Sequence, residues 1–130
     1  MAKGGATVAA MIHHVQLSVR DFAKSLRFYT EALRPLGCVP QHVDESARSA
    51  GFGPPGGARF WIGVETPSKG PVHIAFEAPD AGAVAAFHAA ALGAGGKDNG
   101  KPGPRPDYGA AYHAAFVFDP DGNNVEAVVK

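Results

Sequence analysis

Apolar and polar residues alternate along two short segments in different halves of the chain. Residues 14–19 read HVQLSV and residues 73–78 read HIAFEA, and this period of two is typical of a strand with one buried face. An aspartate follows each segment, Asp21 or Asp80, and aspartate is a preferred residue for the start of a helix. Apolar residues then recur at helical spacing until a glycine-containing stretch, which favours the end of a helix. Both places therefore predict a strand followed by a helix.

The two places are copies of one module. A shift of 59 positions aligns HVQLSVRDFAKSLRFYTEALRPLG with HIAFEAPDAGAVAAFHAAALGAGG without a gap, and it places His14 on His73. We therefore expect a single domain over residues 11–130, preceded by a flexible extension of residues 1–10. The modules are expected to span about residues 11–66 and about residues 71–130.

The remainder of each module predicts further strands. Their expected bounds are 38–43, 47–52 and 58–65 in the first module, and 112–118 and 124–129 in the second. The sequence DPDG at 119–122 favours a tight turn between the last two strands. Residues 93–108 are rich in glycine and proline, so we expect a loop there and a second module that lacks one strand. The chain is predicted to be an α+β protein built from two βαβββ modules.

Composition argues against several classes of partner. The 12 Lys and Arg residues balance the 12 Asp and Glu residues, which argues against nucleic acid and against an anionic membrane. No apolar run approaches the roughly 18 residues of a membrane span. The single cysteine, Cys38, has no partner for an internal disulfide and is interpreted as a small buried apolar residue. We therefore expect a cytoplasmic protein.

Polar residues share one face of the first strand in each module. The alternate apolar residues must cover the helix, so His14, Gln16 and Ser18 face the other way, as does His73 in the second module. His13 has the opposite parity and is assigned to the helix side or to its edge. We expect the two sheets to curl around a shared cavity that His14 and His73 enter from equivalent positions.

The second module contributes further candidates for the site. Glu126 lies in the middle of the last strand, where a buried carboxylate is costly unless it is paired, and a divalent cation between it and the two histidines would pair it. Glu77, on the polar face of its strand, is a candidate catalytic base. Tyr112 and Phe116 have the parity of the cavity, and Tyr112 is a candidate donor to a substrate oxyanion. Arg105 is a candidate for binding an anionic substrate group. Each of these three roles has an alternative. Glu77 and Arg105 would then be solvated side chains without a role in the site, and Tyr112 would only fill the wall of the cavity.

The duplicated module and the ending FVFDPDGNNVEAV resemble the vicinal oxygen chelate superfamily. This superfamily includes glyoxalase I, the extradiol dioxygenases, the fosfomycin-resistance enzymes and the bleomycin-resistance proteins. The resemblance covers residues 11–129, and it implies a half-open barrel of paired βαβββ modules. Its motifs are specific for the fold and much less specific for the reaction.

The resemblance also implies a metal site. The metal ligands of the family lie at the start of the first strand of each module and on the final strand, here His14, His73 and Glu126. A further family position is a carboxylate in glyoxalases and is Trp61 here, which cannot bind a metal. The remaining set is similar to the two-histidine, one-carboxylate triad of the extradiol dioxygenases and fosfomycin enzymes. One divalent ion is implied, Fe2+, Mn2+, Zn2+ or Ni2+, acting as a Lewis acid.

The resemblance leads to two alternative functions. The first is a metal-dependent enzyme with lyase, isomerase or dioxygenase chemistry on a small oxygen-rich substrate. The second is a metal-free protein that binds a small molecule or an antibiotic, as the bleomycin-resistance proteins do. The expected substrate-binding residues are Gln16, Ser18, Trp61, Arg105 and Phe116. Relatives of this size imply a homodimer, in which we expect each chain to build its own site.

Overall fold

A computed structural model describes residues 12–64 and 71–130. The predicted N-terminal extension and most of the linker between the modules lie outside the described residues. The first module consists of β1 (Val15–Ser18), α1 (Phe22–Leu33), a short 3₁₀ turn (Arg34–Leu36), β2 (Val39–Asp44), β3 (Ser49–Gly53) and β4 (Phe60–Gly63). The second consists of β5 (His73–Glu77), α2 (Ala81–Gly93), β6 (Lys97–Pro104), β7 (His113–Phe118) and β8 (Asn124–Val129).

Both modules have the same sheet topology. The strand order is β1-β4-β3-β2 in the first sheet and β5-β8-β7-β6 in the second. The first strand of each module pairs in parallel with the last strand, and the other pairings are antiparallel. Among the described strands, the two sheets stay separate, and β1 and β5 each lie at an edge. The predicted α+β fold of two βαβββ modules is confirmed.

The glycine- and proline-rich segment does not form the predicted loop. It forms β6, which pairs antiparallel with β7, and the register shifts between Asp98 and Gly100 and again between Gly100 and Gly103. Gly100 has a φ of 156° and lies opposite Phe116, so a residue without a Cβ suits this bulge. Prolines are tolerated because β6 is an edge strand, where not every N–H is needed for pairing. The prediction that the second module lacks a strand was wrong.

The two helices begin at the predicted aspartates. The side chain of Asp21 accepts a hydrogen bond from the backbone N–H of Lys24 at 3.1 Å, and that of Asp80 accepts one from Ala83 at 2.8 Å. Each bond satisfies an N–H that the first turn of a helix leaves without a partner. After α1, the chain turns at Gly37, whose φ of 85° is in the left-handed region. These local signals set the start of both helices and the turn that follows α1.

The core lies between each sheet and its helix and continues between the modules. Tyr29 of α1 is fully buried and contacts Phe60 of β4 with ring centroids 4.8 Å apart. Phe60 in turn contacts Phe76 of β5 at 5.1 Å, which joins the two modules through their apolar sides. In the described ranges 12–64 and 71–130, no helix is long and apolar enough to cross a membrane.

Candidate functional site

The polar face of the second sheet brings together three predicted site residues. Ala75 of β5, Glu126 of β8 and Phe116 of β7 lie opposite one another in the strand register. His73 lies two residues before Ala75, and its Nε2 atom is 2.9 Å from Oε1 of Glu126. The Tyr112 hydroxyl, just before β7, donates a hydrogen bond of 2.5 Å to Oε2 of Glu126. Strand pairing therefore places an imidazole and a phenol on the two oxygens of one carboxylate.

The carboxylate at the centre of this arrangement is buried. Glu126 is 3% exposed, whereas the side chain of His73 is 48% exposed. Its two partners offset part of the cost of removing the carboxylate from water. The hydrogen bond to Glu126, together with burial and the negative charge of Glu126, raises the pKa of Tyr112 to about 12. Tyr112 is therefore protonated at neutral pH and donates to the carboxylate.

Phe116 and Arg105 complete the group, which we call the Glu126 cluster (His73, Arg105, Tyr112, Phe116 and Glu126). The ring of Phe116 stacks on His73 with centroids 6.3 Å apart and planes 29° apart. The guanidinium of Arg105 lies 5.4 Å from the centroid of Phe116, within the range of a cation–π contact. Arg105 also donates hydrogen bonds to backbone oxygens of β6, which hold the guanidinium in place. The cluster thus has a fixed positive charge next to an aromatic ring.

The candidates of the first module lie on a different sheet. Gln16 lies opposite Trp61 and Ser18 lies opposite Gly63 in the β1–β4 pairing. Trp61 is half-buried and contacts His42, with ring centroids 5.8 Å apart. His42 is not among the residues that the sequence analysis singled out, and its contact with Trp61 is new in the structure. The signal that could have revealed this was the β2–β3–β4 register, which the sequence pattern alone does not define.

The double histidine does not have the predicted asymmetry. Both His13 and His14 are exposed, and their Nδ1 atoms are 2.9 Å apart. Their rings make an edge contact with centroids 5.1 Å apart. The reason is that β1 begins only at Val15, so strand alternation does not apply to the two residues before it. Of the two positions predicted for His13, the structure excludes burial on the helix side, and the residue lies exposed just before the start of β1.

The predicted metal ligands are only partly brought together. His73 and Glu126 are donors of the kind that divalent transition metals bind, and they are adjacent. Within residues 12–64 and 71–130, however, no three His, Cys, Asp or Glu side chains are grouped so that they could hold a metal ion. His14 therefore does not join the pair within one chain, and neither does Glu77, which is exposed at the end of β5. Within the described part of a single chain, the predicted three-ligand site is therefore not complete.

A cavity of about 560 Å³ runs along the edge strand β5 and reaches the cluster at His73. Its other walls include Phe52, Phe60 and Cys38 of the first module, so its lining is largely apolar. Burial raises the pKa of the Cys38 thiol, which disfavours a reactive thiolate. This agrees with the interpretation of Cys38 as an apolar residue. The cavity offers space for an apolar group beside the imidazole.

A family model and the similar solved structures point to the same protein family. The model of the Glyoxalase/Bleomycin resistance protein/Dioxygenase superfamily matches residues 11–127. A glyoxalase/bleomycin resistance protein from Albidiferax ferrireducens is 30% identical over 93% of this chain and 100% of its own, with a TM-score of 0.80. A family enzyme from Burkholderia phytofirmans, 19% identical over 92% of this chain and 98% of its own, has a TM-score of 0.65 and supports the fold alone.

A more distant comparison involves a longer protein. A glyoxalase I mutant from Zea mays is 25% identical over 88% of this chain and 45% of its own, with a TM-score of 0.62. No curated protein sequence matches the chain. The comparisons therefore give the family and the fold, and the reaction has to be argued from the residues.

Proposed function

The chain belongs to the Glyoxalase/Bleomycin resistance protein/Dioxygenase superfamily, and we propose that it is an enzyme that acts on a small oxygen-rich substrate at the Glu126 cluster. The observation that carries the proposal is the buried Glu126 carboxylate, held between the His73 imidazole and the Tyr112 phenol. Buried ionisable groups contribute less to stability than apolar residues of similar volume. The grouping of Glu126, His73 and Tyr112 on an accessible face of the sheet is typical of a reactive site.

The proposed chemistry is proton transfer. The half-exposed imidazole of His73 is the member of the cluster that a substrate can reach, and imidazole exchanges protons near neutral pH. Oε1 of Glu126 orients the imidazole through their 2.9 Å contact, while the Tyr112 hydroxyl holds Oε2 in place. Arg105 and Phe116 would bind an anionic or planar part of the substrate beside His73. This arrangement is compatible with lyase or isomerase chemistry on a substrate that carries a carbonyl group.

As an alternative to proton transfer by His73, we infer that His73 and Glu126 supply two ligands of a divalent metal site and that His14 of a second copy supplies the third. An imidazole bound to a metal no longer transfers protons, so the two roles exclude each other. The inference rests on two observations. His73 and Glu126 are adjacent, and within the described part of one chain His14 does not join them in a three-residue group. A bound Fe2+, Mn2+, Zn2+ or Ni2+ ion would supply Lewis-acid stabilisation of negative charge. The earlier expectation that each chain builds its own site is replaced by this shared site.

The edge strands support association of two copies. Among the described strands, β1 and β5 each lie at an edge of their sheet, and edge strands favour contact with another chain. Ile12 is 58% exposed and Val15 is 36% exposed at the start of β1, next to His14. We therefore propose a homodimer in which β1 of one copy lies near β5 of the other, so that His14 approaches the pair formed by His73 and Glu126.

Metal titration of chelator-treated protein tests this site. We expect wild type to bind about one Zn2+ or Mn2+ per chain, and we expect His14→Ala and Glu126→Ala each to lose it, because three protein ligands are typical of such sites. His13→Ala is the matched control, since it removes the neighbouring imidazole and should retain the metal. Unchanged metal content in both His14→Ala and Glu126→Ala would refute the ligand assignment.

A mixing experiment distinguishes a shared site from a site within one chain. His14→Ala and Glu126→Ala proteins are unfolded together, refolded, and assayed for metal. In a shared site, half of the dimers are mixed and each mixed dimer has one intact site, so about a quarter of the wild-type metal returns. A site within one chain predicts no recovery.

Activity is tested with a panel of methylglyoxal–thiol adducts, catechols and fosfomycin. His73→Asn should lower kcat by about two orders of magnitude on any substrate that turns over, which is the usual contribution of a general acid or base. Equal kcat values for wild type and His73→Asn would exclude the proposed role.

A metal-free binding protein is the second candidate function. The absence of a three-ligand group within the described part of one chain favours it, as does the largely apolar cavity of about 560 Å³ beside β5. It predicts no stoichiometric metal in the titration, no turnover of the panel, and binding of a small molecule that His73→Asn leaves intact.

A further inference from the structure

A second cavity lies outside the Glu126 cluster and shares no residue with it. Its volume is about 700 Å³, which is within the usual range for a small-molecule site. Four elements form its walls: α1, the end of α2, the start of β6 and the turn between β7 and β8. The proposed function does not use this cavity.

Three basic side chains from two of these elements line the cavity. Lys24 and Arg27 lie three residues apart on one face of α1, and Lys97 begins β6. Nη2 of Arg27 donates a hydrogen bond of 3.0 Å to the carbonyl oxygen of Gly93, which holds the guanidinium at the end of α2. In the described ranges, none of the three forms an ion pair. The chain has a formal net charge of +0, so three unpaired cations around one cavity are a local concentration of positive charge.

The carboxylates in the same walls already have partners. Oδ2 of Asp119 accepts hydrogen bonds from the Tyr29 hydroxyl at 2.6 Å and from Nδ2 of Asn123 at 2.8 Å, and its other oxygen accepts backbone N–H groups. Asp121 accepts a hydrogen bond from the backbone N–H of Arg20 and lies 3.8 Å from its Nε atom. These bonds hold both carboxylates in place without removing their charges, and three cations against two carboxylates leave the described lining with a formal net charge of +1, to which Arg20 adds a further cation beside Asp121.

We propose that this cavity binds a small phosphorylated molecule through Lys24, Arg27 and Lys97. A phosphate ester carries about two negative charges at neutral pH, and a diphosphate carries more, so three cations in the lining of one cavity suit this class. Arginine matches the planar spacing of phosphate oxygens and lysine provides a mobile point charge. The volume leaves room for an organic group attached to the phosphate.

The test is a titration with pyrophosphate, followed by amide chemical shifts at constant ionic strength. We expect saturable shifts at Gly95 and Gly122, which both line the cavity, with a dissociation constant below about 1 mM. The Lys24→Ala/Lys97→Ala double variant should bind at least about tenfold more weakly, because charge-assisted contacts to phosphate are lost. Lys101→Ala is the matched control, since it removes an exposed lysine of β6 that does not line the cavity, and it should bind as wild type does.

The same titration with citrate shows whether the cavity selects phosphate over carboxylate, and phosphate selectivity predicts clearly weaker citrate binding. Unfolding temperatures of the variants without ligand show whether they remain folded. The proposal is wrong if pyrophosphate binds equally to wild type and the double variant. It is also wrong if no shifts occur up to about 10 mM, if the shifts occur away from Gly95 and Gly122, or if citrate binds as tightly as pyrophosphate.

Discussion

The Tyr29 hydroxyl donates a hydrogen bond of 2.6 Å to Oδ2 of Asp119, and Tyr29→Phe removes this bond alone. The bond connects helix α1 to the turn after β7, and both residues are buried. In the variant, Asp119 keeps a donor on each oxygen, because Asn123 and the backbone of Asp121 still donate. The perturbation therefore weakens the network without removing all the partners of a buried carboxylate.

The expected loss of stability follows from the geometry. A hydrogen bond to a charged group contributes about 1.5–3 kcal/mol net, and a short O–H···O⁻ bond that water cannot replace belongs in that range. We expect Tyr29→Phe to lower the free energy of unfolding by about 2 kcal/mol, measured by urea denaturation at pH 7 with an unchanged m-value. Tyr108→Phe is the control, since Tyr108 is 66% exposed and its change should stay within about 0.5 kcal/mol. Equal stability of the two variants would refute the argument.

The same bond predicts how stability depends on alkaline pH. Burial and the neighbouring Asp119 raise the pKa of Tyr29 well above 10.0, so the folded state keeps the phenol proton that the unfolded chain loses near pH 10. The contribution of the protonated Tyr29 to the free energy of unfolding is complete below pH 10, and it is lost as the pH rises towards the pKa of Tyr29 in the folded state. Wild type should therefore lose stability above pH 10 more steeply than Tyr29→Phe, by up to about 1.4 kcal/mol per pH unit. Parallel pH profiles would contradict the assignment.

Two further predictions concern the candidate site and the core. In metal-free protein, the NMR signal of the Tyr112 ring should titrate near pH 12. Glu126→Gln should lower that pKa, because it weakens the hydrogen bond to the carboxylate, which is the main cause of the raised pKa. Titration near pH 10 in both proteins would contradict the bond. Gly96→Ala should lower the free energy of unfolding by about 1–3 kcal/mol, because its Cβ would lie 2.6 Å from Cε1 of Phe28 and within 3.1 Å of two backbone oxygens. Gly57→Ala, whose Cβ would meet nothing within 4 Å, is the control in urea denaturation.

Sequence reasoning was most accurate where local chemistry determines the backbone. The Asp21 and Asp80 caps are in place, and the predicted strand at 124–129 matches β8. The duplicated module was visible because both copies must bury an apolar helix face against an apolar sheet face. The same periodicity led to the polar face on which His73 and Glu126 meet.

The errors arose where tertiary pairing overrides local preference. β6 contains glycines and prolines that disfavour a strand in isolation, but β7 supplies a partner, and bulges at Gly100 and Gly103 absorb the irregular spacing. Strand parity does not position His13, because β1 begins at Val15, one residue after the start of the predicted alternation at His14. Neither the start of pairing nor the position of a bulge is encoded in a single segment, since both depend on the neighbouring strand.

The strand register also explains how the two copies of the module came to differ. Trp61 lies opposite Gln16, and Glu126 lies opposite Ala75, the repeat equivalent of Gln16, so Trp61 and Glu126 occupy the same position in the two sheets. The indole requires a glycine across the sheet, because a Cβ at Gly51 would lie 2.8 Å from the Trp61 ring. Helix-facing residues and backbone pairing maintain each sheet, so the opposite face is free to change. One copy accordingly presents an aromatic surface and the other an ionisable cluster on the same backbone framework.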